Sequence, residues 1–512
     1  MAIIDFFDRG WRSAPDAAAY IQDEREVSFR EAGELSCRIA HGLLSAGFGR
    51  STRGAVWAGN DVQAWICTLG LWRANMAWIP VNARNSAEEN RVLLDAFDCD
   101  AVFYQQSYAS AIEAVRGALP KVRLWICIET ELNAWCAAQP ATHPNVEYAL
   151  DDVVMLSPTG GTTGTPKGVM NTHRSVQTFV AHFMLGCHYG NGARPVNLAA
   201  APMTHTAGVL SLPATARGGT VVVVTKPDAA VMLRAIARHR VTEFFLPPTV
   251  IYRLLEVPGI EQLDFSSLKY FLYGAAPMSV DKLKKAIKVF GPVMTGGYGQ
   301  TEAPASIALL PPDQHFAGTT LASDERLSSV GRPSPLIRVE IMDEQNRILE
   351  TGATGEICVR GDLVMKGYYK APEKTAETII DGWLHTGDIG HLDAEGFLYV
   401  TDRKKDMLIT GGFNVYPSEV EQVIWAHPAV QDCAVIGVPD PQWGEAVKAV
   451  VELNPGQSVT AEALIALCKE KLGSVKAPKS VEFMAALPRS TVGKVLKKDL
   501  RAQYWADTQR KI

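Results

Sequence analysis

Strand and helix patterns alternate through the middle of the chain, and this alternation constrains the fold more than any other feature. The pattern predicts a strand over Thr220–Val224, a helix over Ala229–His239, a strand over Thr242–Leu246 and a helix over Thr249–Leu255. Because a helix follows each strand, successive strands are expected to lie parallel, with helices packed on the faces of the sheet. The predicted fold class is therefore α/β, with layered parallel sheets in a large N-terminal domain of several subdomains.

A helix near the N-terminus has a complete set of boundary signals. Ser28 and Glu31 form a capping box, and Gly47 can end the helix. Between them, apolar residues recur at helical spacing on one face, at Ala32, Leu35, Ile39 and Leu43. The spacing predicts an amphipathic helix that packs on the core.

The last hundred residues predict a separate, smaller unit. A helix can begin at Pro417, short strands are expected over Cys433–Val438 and Val447–Leu453, and Thr460 caps a helix that ends near Gly473. A chain of 512 residues is also too long for one simple core. We expect a domain of residues 1–401 and a small mobile α+β domain of residues 402–512, joined within the charged junction 401–406.

Composition excludes several classes of protein. The net charge of −5 and the absence of a long basic run argue against a nucleic-acid partner. The N-terminus lacks the basic start of a signal peptide, and no stretch of about 18 apolar residues predicts an integral membrane segment. Nine cysteines without a C-x-x-C pair predict reduced, mostly buried thiols in a cytoplasmic protein, and no zinc site. The sequence leaves the oligomeric state, including a homodimer, open.

A loop rich in glycine and threonine, residues 157–168, is the strongest local motif. It reads SPTGGTTGTPKG and follows the apolar strand Val153–Leu156. Glycines let backbone N–H groups converge on an anion, and the threonine hydroxyls and Lys167 add donors and charge. It is not a Walker A loop, because Gly168 stands where that motif has Ser or Thr. The loop predicts a phosphate site.

The sequence resembles the adenylate-forming superfamily of acyl-CoA synthetases, luciferases and peptide-synthetase adenylation domains, and is most similar to bacterial fatty-acyl and aryl acid:CoA ligases. The resemblance rests on the phosphate loop and on further blocks that occur in the family's order. These are Pro202–Gly208 (PMTHTAG), Tyr273–Pro277 (YGAAP), Gly297–Glu302 (GYGQTE), Gly387-Asp388, Asp402–Asp406 (DRKKD), Gly411–Pro417 (GGFNVYP) and Pro488–Lys494 (PRSTVGK).

The resemblance implies a nucleotide site for ATP and Mg²⁺. Glu302 would ligate Mg²⁺, Thr301 would bind the α-phosphate, Tyr298 would stack on adenine, and Asp388 would accept hydrogen bonds from the ribose hydroxyls. Arg403 would support the ribose or the α-phosphate, and Lys494 would bridge the α-phosphate and the acid carboxylate. The remaining implied nucleotide contacts are Thr159, Gly160, Gly161, Thr162, Thr163, Gly164, Lys167, Gly274, Ala275, Ala276, Pro277, Gly299 and Gln300.

The resemblance also implies an acyl pocket and a moving C-terminal domain. The pocket would be lined by Thr204, His205, Gly296, Gly297 and Ala303, with His205 orienting the carboxylate. Lys405 would be the hinge, and the swing would bring Gly411, Gly412 and Phe413 to a channel for coenzyme A. Two residues depart from the family pattern: Gly160 replaces a serine, and Thr204 replaces a large apolar residue.

These features predict an ATP-dependent acid:CoA ligase that proceeds through an acyl-adenylate. No counter-charge for a second carboxylate or an amino group can be assigned, which favours an apolar monocarboxylic acid, either a medium-to-long fatty acid or an aryl or alicyclic acid. One alternative is an adenylating enzyme that loads a carrier protein, although the chain carries no carrier domain after Lys494. Another is a nucleotide-binding sensor without catalysis, which would not need Lys494.

Overall fold

The computed structural model describes residues 1–159, 166–204, 206–489 and 495–505. Its helices are α1 Ile4–Ser13, α2 Phe29–Ser45, α3 Val62–Arg73, α4 Ala87–Ala96, α5 Ala109–Arg116, α6 Leu132–Cys136, α7 His173–Gly186, α8 Thr206–Leu210, α9 Leu212–Ala216, α10 Ala229–His239, α11 Pro248–Leu255, α12 Val280–Phe290, α13 Asp324–Ser328, α14 Pro372–Thr378, α15 Pro417–Trp425, α16 Ala461–Lys476 and α17 Lys497–Trp505.

The strands, in chain order, are β1 Ala18–Gln22, β2 Arg25–Ser28, β3 Arg53–Trp57, β4 Ala77–Pro80, β5 Ala101–Tyr104, β6 Leu124–Cys127, β7 Val153–Thr159, β8 Lys167–Thr172, β9 Val196–Ala199, β10 Thr220–Val223, β11 Glu243–Leu246, β12 Tyr270–Gly274, β13 Met294–Gln300, β14 Ala303–Leu310, β15 Phe316–Ala317, β16 Thr320–Leu321, β17 Arg332–Pro333, β18 Ile337–Met342, β19 Gly355–Gly361, β20 Gly367–Tyr368, β21 Ile379–Ile380, β22 Trp383–Leu392, β23 Leu398–Arg403, β24 Leu408–Thr410, β25 Phe413–Val415, β26 Val430–Asp440, β27 Gly444–Leu453 and β28 Ser480–Phe483.

Two large sheets form the N-terminal part. One has the order β17-β14-β13-β12-β11-β9-β10-β1-β2, and the other has the order β20-β8-β7-β4-β3-β5-β6. Neighbours from β13 to β1 in the first sheet are parallel, as are those from β7 to β6 in the second. The alternation β10-α10-β11-α11 builds part of the parallel region, so the predicted α/β class is confirmed.

A single apolar core connects the two large sheets. It contains α3, whose residues are buried on every side, and the indole rings of Trp65, Trp72 and Trp78 meet edge to face there with centroids 5.5–5.8 Å apart. A helix that is buried all round must be enclosed by other elements, which explains why α3 lacks a polar face. The helix α7 also buries its apolar residues in this core, so the strand ends that carry the site rest on a continuous packed interior.

The predicted capped helix is α2, in which both hydrogen bonds of the Ser28–Glu31 capping box are present. Gly47 follows it with φ +77°. The sequence interpretation missed the earlier helix α1, because Ile3 at its N-cap position makes no side-chain cap and gives no start signal.

All nine cysteines are buried, which confirms the prediction that these thiols are mostly buried.

The C-terminal part has a sheet and a core of its own. Its sheet has the order β25-β24-β27-β26, with β28 beside β27, and α15 and α16 pack on an apolar cluster that includes Val420, Val435 and Leu464. The strands β26 and β27 are longer than the predicted ones, and Gly473 interrupts α16 with φ +80°. In the described ranges, no helix is both long enough and apolar enough to cross a bilayer.

Candidate active site

The first cluster of predicted site residues contains Tyr298, Asp388 and Arg403. The Tyr298 hydroxyl donates a hydrogen bond of 2.7 Å to Asp388 Oδ2, and Arg403 Nε lies 3.4 Å from Asp388 Oδ1. Burial, followed by the nearby Asp388 carboxylate, raises the pKa of Tyr298 well above its usual value. These residues come from β13, β22 and β23, so three separate motifs converge at one point, with an aromatic ring beside a buried carboxylate and a guanidinium.

The second cluster contains Lys167, Tyr368 and Glu302. The Tyr368 hydroxyl donates a hydrogen bond of 2.8 Å to Glu302 Oε1, and Lys167 Nζ lies 5.3 Å from the centre of the Tyr368 ring. Thr159 pairs with Lys167 across β7 and β8, so the two ends of the phosphate loop lie side by side. Residues 160–165 fall outside the described residues, and with them the predicted contacts Gly160, Gly161, Thr162, Thr163 and Gly164.

Five residues, from Tyr298 in β13 to Glu302 in the turn after it, join the two clusters. Gln300 Nε2 donates to the Thr386 carbonyl at 3.3 Å, and the Thr301 carbonyl accepts from Asn171 Nδ2 at 3.2 Å. These bonds connect β13 and the turn after it to β22 on one side and β8 on the other. The segment Tyr298–Glu302 is therefore held between the cluster of Tyr298 and Asp388 and the cluster of Glu302 and Tyr368.

Tyr368 is a residue that the sequence interpretation missed. It lies in β20, where it pairs with Val169 of β8, and 66 residues separate it from Glu302 in the chain. Burial, reinforced by the Glu302 carboxylate, raises the pKa of Tyr368, which keeps the hydroxyl protonated as a donor. No local signal marks this tyrosine, because only the pairing of β20 with β8 brings it to the site.

The predicted adenine-lining segment Gly274–Pro277 begins where β12 meets β13. A side-chain carbon on Gly274 would lie 2.4 Å from the Gly297 carbonyl oxygen, so only glycine fits at this close backbone approach. The next residue, Ala275, has φ +66°, a backbone conformation that is uncommon for a residue with a side chain. The segment turns sharply away from the sheet at the same end as Tyr298.

The residues predicted for the acyl pocket lie on the buried side of this region. Thr204 and Ala303 are buried. A side-chain carbon on Gly296 would meet the Tyr273 hydroxyl at 3.0 Å, whereas one on Gly297 would first meet the Ala305 carbonyl oxygen at 3.4 Å. The depth predicted from the two glycines therefore depends on Gly297, because Tyr273 fills the face of Gly296. His205 lies outside the described residues.

His182 in α7 was not singled out from the sequence. Its Nδ1 lies 3.1 Å from the Ser306 carbonyl of β14, and no described residue lies within hydrogen-bonding distance of its Nε2. Burial lowers the pKa of His182 to about 4, so the ring is neutral near pH 7. Ser306 follows Ala303 by three residues, which puts a neutral imidazole close to the predicted pocket.

The predicted coenzyme A segment occupies a hairpin of the C-terminal sheet. Gly411 and Gly412 connect β24 to β25, and Gly411 N donates to the Trp443 carbonyl at 3.0 Å. The side chain of Phe413 is 61% exposed and that of Trp443 is 42% exposed. The hairpin therefore presents apolar surface to solvent.

The segment that carries Lys494 lies outside the described residues, but its two flanks are described. Arg489 and Val495 form an antiparallel bridge, so the two flanks lie side by side. Arg489 forms ion pairs with Asp432 at 2.7 Å and Glu452 at 3.2 Å. Lys497 pairs with the buried Glu421 at 2.7 Å. Both flanks are therefore fixed to the C-terminal sheet and to α15 by buried carboxylates.

The predicted junction, residues 401–406, covers the second half of β23 and the turn after it. Lys404 N donates to the Gly387 carbonyl at 2.8 Å, and Lys404 Nζ lies 3.3 Å from Glu356. Lys405, the predicted hinge, is exposed in the turn that precedes β24. Asp402 accepts from Ser418 N at 2.9 Å, so the start of α15 is attached to the end of β23.

Glu302 fits the predicted Mg²⁺ contact by the chemistry of its donor. Among the described residues, no group of three or more His, Cys, Asp or Glu side chains could hold a metal. Mg²⁺ in nucleotide sites commonly binds one or two carboxylates together with phosphate oxygens and water, so a single carboxylate beside a phosphate loop is sufficient. Tyr368 contacts Oε1 of that carboxylate and orients the group.

Comparison with known proteins identifies relatives across the chain. A medium/long-chain-fatty-acid–CoA ligase, FadD8, of Mycobacterium tuberculosis is 40% identical over 394 residues, 75% of this chain and 67% of the relative. A feruloyl-CoA synthase of an Amycolatopsis species is 34% identical over 96% of this chain and 97% of the relative. A fatty acid–[acyl-carrier-protein] ligase, ScoC, of Streptomyces coeruleorubidus is 31% identical over 97% of this chain and 95% of the relative.

Solved structures give the same result for the fold. The amide bond synthetase McbA from Marinactinospora thermotolerans superimposes with a TM-score of 0.89 at 30% identity, covering 98% of this chain and all of that one. The sequence also matches two family descriptions, "AMP-binding enzyme" over residues 7–369 and "AMP-binding enzyme C-terminal domain" over residues 419–494. With the converging clusters at Tyr298 and Glu302, these matches establish that the chain belongs to the AMP-binding enzymes of the adenylate-forming superfamily.

Proposed function

We propose that this protein is an acid:CoA ligase. It activates an apolar monocarboxylic acid with ATP to an acyl-adenylate, and it then transfers the acyl group to coenzyme A with release of AMP. The observation that carries the proposal is the pair of clusters joined by Tyr298–Glu302. Tyr298, Asp388 and Arg403 suit a nucleoside, Lys167 suits its phosphates, and Glu302 suits the Mg²⁺ that accompanies them.

The first step joins two anions. A carboxylate oxygen of the acid attacks the α-phosphorus of ATP, and the bond to pyrophosphate breaks with its electron pair on the leaving group. Fixed positive charge and positioning therefore supply most of the catalysis. Lys167 is assigned to the departing phosphates, Thr301 to the α-phosphate, and Lys494 to the carboxylate and α-phosphate together. His205 is assigned to orienting the carboxylate.

Glu302 is the residue assigned to Mg²⁺, which neutralises phosphate charge when it is bound. The Tyr368 hydroxyl donates a hydrogen bond to one oxygen of that carboxylate. This bond fixes the orientation of the carboxylate and leaves its other oxygen for the metal. At the nucleoside end, Asp388 is assigned to the ribose hydroxyls, and Tyr298 and Gly274–Pro277 to the two faces of adenine. The Tyr298–Asp388 hydrogen bond fixes both side chains before the nucleotide arrives.

In the second step, the thiol of coenzyme A loses its proton and attacks the acyl carbonyl, and AMP leaves. We assign residues 402–512 to a mobile domain that turns about Lys405, replacing Lys494 with Gly411–Phe413 beside the acyl-adenylate. The exposed Phe413 and Trp443 support this assignment, because apolar side chains at a hairpin tip are suited to a surface that becomes covered later in the cycle.

Two relatives suggest a second candidate for the acceptor. A carrier-protein ligase and an amide bond synthetase have the same fold family, so the same activated acid can be passed to a carrier thiol or to an amine. The first step is common to all of these reactions. Only the acceptor distinguishes them.

The test is turnover of purified protein with ATP, Mg²⁺, coenzyme A and a panel of fatty and aryl acids. We expect acid-dependent AMP together with an acyl-CoA. Acid-dependent pyrophosphate release without acyl-CoA, rescued by a carrier protein or an amine, would identify the other acceptors. No acid-dependent release of pyrophosphate would contradict the proposal and favour a nucleotide-binding sensor.

A matched pair of variants connects this activity to the site. Glu302→Gln keeps the shape of the side chain and removes its charge, and we expect about a 100-fold loss in the first step, as when one transition-state contact is removed. Glu344→Gln makes the same change at an exposed position and should have no effect. Equal activities of the two variants would remove Glu302 from the site.

A further inference from the structure

The pairing of β19 with β22 is irregular at the site. The ladder is regular up to the Glu356–Ile389 pair and resumes at the Cys358–His385 pair. Three residues of β22, 386–388, therefore lie opposite a single residue of β19. Such bulges are common next to active sites, where they redirect a side chain out of the regular alternation of a strand. The last residue of this bulge is Asp388, which is assigned to the ribose hydroxyls.

A side chain of the facing strand holds the middle of this bulge. Gly387 has φ +70°, and its N–H donates to Glu356 Oε1 at 3.0 Å. Thr386 Oγ1 donates to the Ile357 carbonyl at 2.7 Å and accepts from Asp388 N at 3.1 Å. Because a backbone N–H that has no partner and is shielded from water costs free energy, the Glu356 carboxylate stabilises the bulge.

The same carboxylate contacts the junction between the two parts of the molecule. Lys404 Nζ lies 3.3 Å from Glu356 Oε2, and Lys404 N donates to the Gly387 carbonyl at 2.8 Å. Glu356, Gly387 and Lys404 therefore form a closed ring of three contacts. The Glu356 side chain is 12% exposed and that of Lys404 is 51% exposed, so the carboxylate is the buried member of the ion pair.

His385 contacts the carboxylate from β22. Its Nδ1 lies 3.3 Å from Glu356 Oε2 and 3.5 Å from Cys358 Sγ. Glu356 thus has at least one polar neighbour on each oxygen, and a carboxylate has enough lone pairs to accept all of these contacts at once. The side chain is therefore held in one orientation from β22 and from the junction.

This ring of contacts fixes the backbone on both sides of the Asp388 carboxylate. Asp388 follows Gly387 directly, and Arg403, which precedes Lys404, lies 3.4 Å from Asp388 Oδ1. The other carboxylate oxygen accepts the hydrogen bond from Tyr298. A shift of the bulge would move Asp388 relative to Tyr298, and a displacement of about 1 Å is enough to weaken contacts that depend on exact geometry.

We propose that Glu356 is a positioning residue that holds Asp388 where its carboxylate accepts hydrogen bonds from the ribose hydroxyls of ATP. The inference rests on the part of the proposed function that assigns Asp388 to the ribose. Glu356 acts through the Gly387 backbone and is supported by Lys404, and it needs no contact with the nucleotide. In the chain, 31 residues separate Glu356 from Gly387, so only the pairing of β19 with β22 brings them together.

The test compares ATP with 2′,3′-dideoxy-ATP, which lacks both ribose hydroxyls. Calorimetric titration of each nucleotide in the presence of Mg²⁺, without acid or coenzyme A, gives a ratio of Kd values. In wild-type protein we expect ATP to bind about tenfold or more tightly, because the analogue cannot donate to the charged acceptor. Asp388→Ala should bring the ratio to about one, which makes the ratio a report on this carboxylate.

Variants of Glu356 separate the acceptor from the charge. Glu356→Ala removes the contacts with Gly387 and Lys404 and should bring the ratio close to that of Asp388→Ala. Glu356→Gln keeps an acceptor for the Gly387 N–H and should retain most of the wild-type ratio. Lys404→Met removes the half-exposed charge and should lower the ratio by about two- to fivefold, since an exposed ion pair contributes little.

Glu340→Ala is the matched control. Glu340 lies in β18, the other neighbour of β19 in the same sheet, and its carboxylate pairs with Arg338 of its own strand at 2.9 Å. The ratio should be unchanged in this variant. Thermal unfolding shows whether Glu356→Ala is folded, and Glu356→Met, which fills nearly the same space as glutamate without an acceptor, takes its place if it is not.

A purely structural role of Glu356 weakens the binding of both nucleotides by the same factor, and that result overturns the inference. A wild-type ratio in folded Glu356→Ala or Glu356→Met overturns it as well, as does wild-type protein that binds the two nucleotides equally. The proposed function fails separately, if no acid of the panel causes release of pyrophosphate from ATP. The two failures are distinguishable, because the ratio is measured without acid or coenzyme A.

Discussion

The N-terminal and C-terminal parts of the molecule hold their predicted functional residues in different ways. In the N-terminal part, Tyr298 and Asp388 are bonded to each other, and Glu302 is bonded to Tyr368, at the ends of strands that rest on a large core. In the C-terminal part, Phe413 lies on an exposed hairpin, and Arg489 and Val495, which flank the segment of Lys494, pair with each other.

The N-terminal part therefore has a preorganised site, whereas the C-terminal part carries groups that the proposed mechanism brings to that site. Side chains locked by mutual hydrogen bonds lose little freedom when a ligand binds, which favours precise positioning. Exposed side chains on a small separate sheet gain contacts only when the sheet turns toward a partner surface. The hairpin that carries Phe413 is such a segment, and the proposed mechanism uses it in the second half-reaction.

The largest expected effect comes from removing the predicted catalytic lysine. Lys494→Ala should reduce formation of the acyl-adenylate by about 100- to 1,000-fold, because the proposed positive contact to the developing charge is lost. Thioester formation from supplied acyl-adenylate should be largely spared, since the proposed rotation of the C-terminal part would withdraw Lys494 in that step. The measurement is the rate of each half-reaction, with pyrophosphate release for the first and acyl-CoA for the second.

Lys469→Ala is the control, because Lys469 is an exposed lysine of α16 in the same part of the chain. It should leave both half-reactions unchanged. If Lys494→Ala slows the two half-reactions equally, the division of labour between the two segments of the C-terminal part is wrong.

An intermediate effect is expected on stability in acid, and it should be confined to the N-terminal part. Burial lowers the pKa values of His173, His182 and His315 there to about 4, whereas the C-terminal part has only His427, for which the structure gives no comparable burial. An unfolded histidine titrates near pH 6.5, so below that pH the unfolded chain binds more protons and the folded state loses stability.

Each of the three histidines should therefore contribute a loss of about 2 kcal/mol when the pH falls from 7 to 5. Urea unfolding at the two pH values measures it, and a substitution of His182 by asparagine should make the pH dependence shallower. Equal pH dependence in wild type and His182→Asn would show that His182 is not buried as a neutral ring.

The sequence predicted those elements whose signals are local. The helix Ala229–His239 has the predicted bounds, and α2 has its predicted capping box, because caps and apolar periodicity act within a few residues. The convergence of Tyr298 with Asp388 was also expected from the family resemblance. The roles of these residues in binding the nucleotide and the acid stay predictions.

Other features depend on contacts that no local pattern encodes. Tyr368 reaches Glu302 only through the pairing of β20 with β8, and Glu243 meets Tyr189 and Asn197 across 54 and 46 residues of chain. In the sequence, Glu243 precedes an apolar run and looks like an ordinary exposed polar residue at the start of a strand. Only the fold reveals that this end is buried and that it borders a small cavity.

The smallest expected effect concerns the exposed hairpin. Phe413→Ala should leave formation of the acyl-adenylate unchanged and should slow thioester formation by about tenfold, because an apolar side chain that becomes covered is worth roughly 1.5–3 kcal/mol when fully buried and less when partly buried. The effect should be largest as a rise in the KM for coenzyme A. Ile409→Ala, at another exposed apolar position of the same hairpin, is the matched control and should have a smaller effect, since Ile409 lies outside Gly411–Phe413.

Phe413→Ala and Lys494→Ala form a crossed pair, in which each substitution is expected to affect a different half-reaction. A loss of adenylate formation in Phe413→Ala would instead mean that the hairpin faces the nucleotide in the first step, and the contrast between the two segments would have to be reversed.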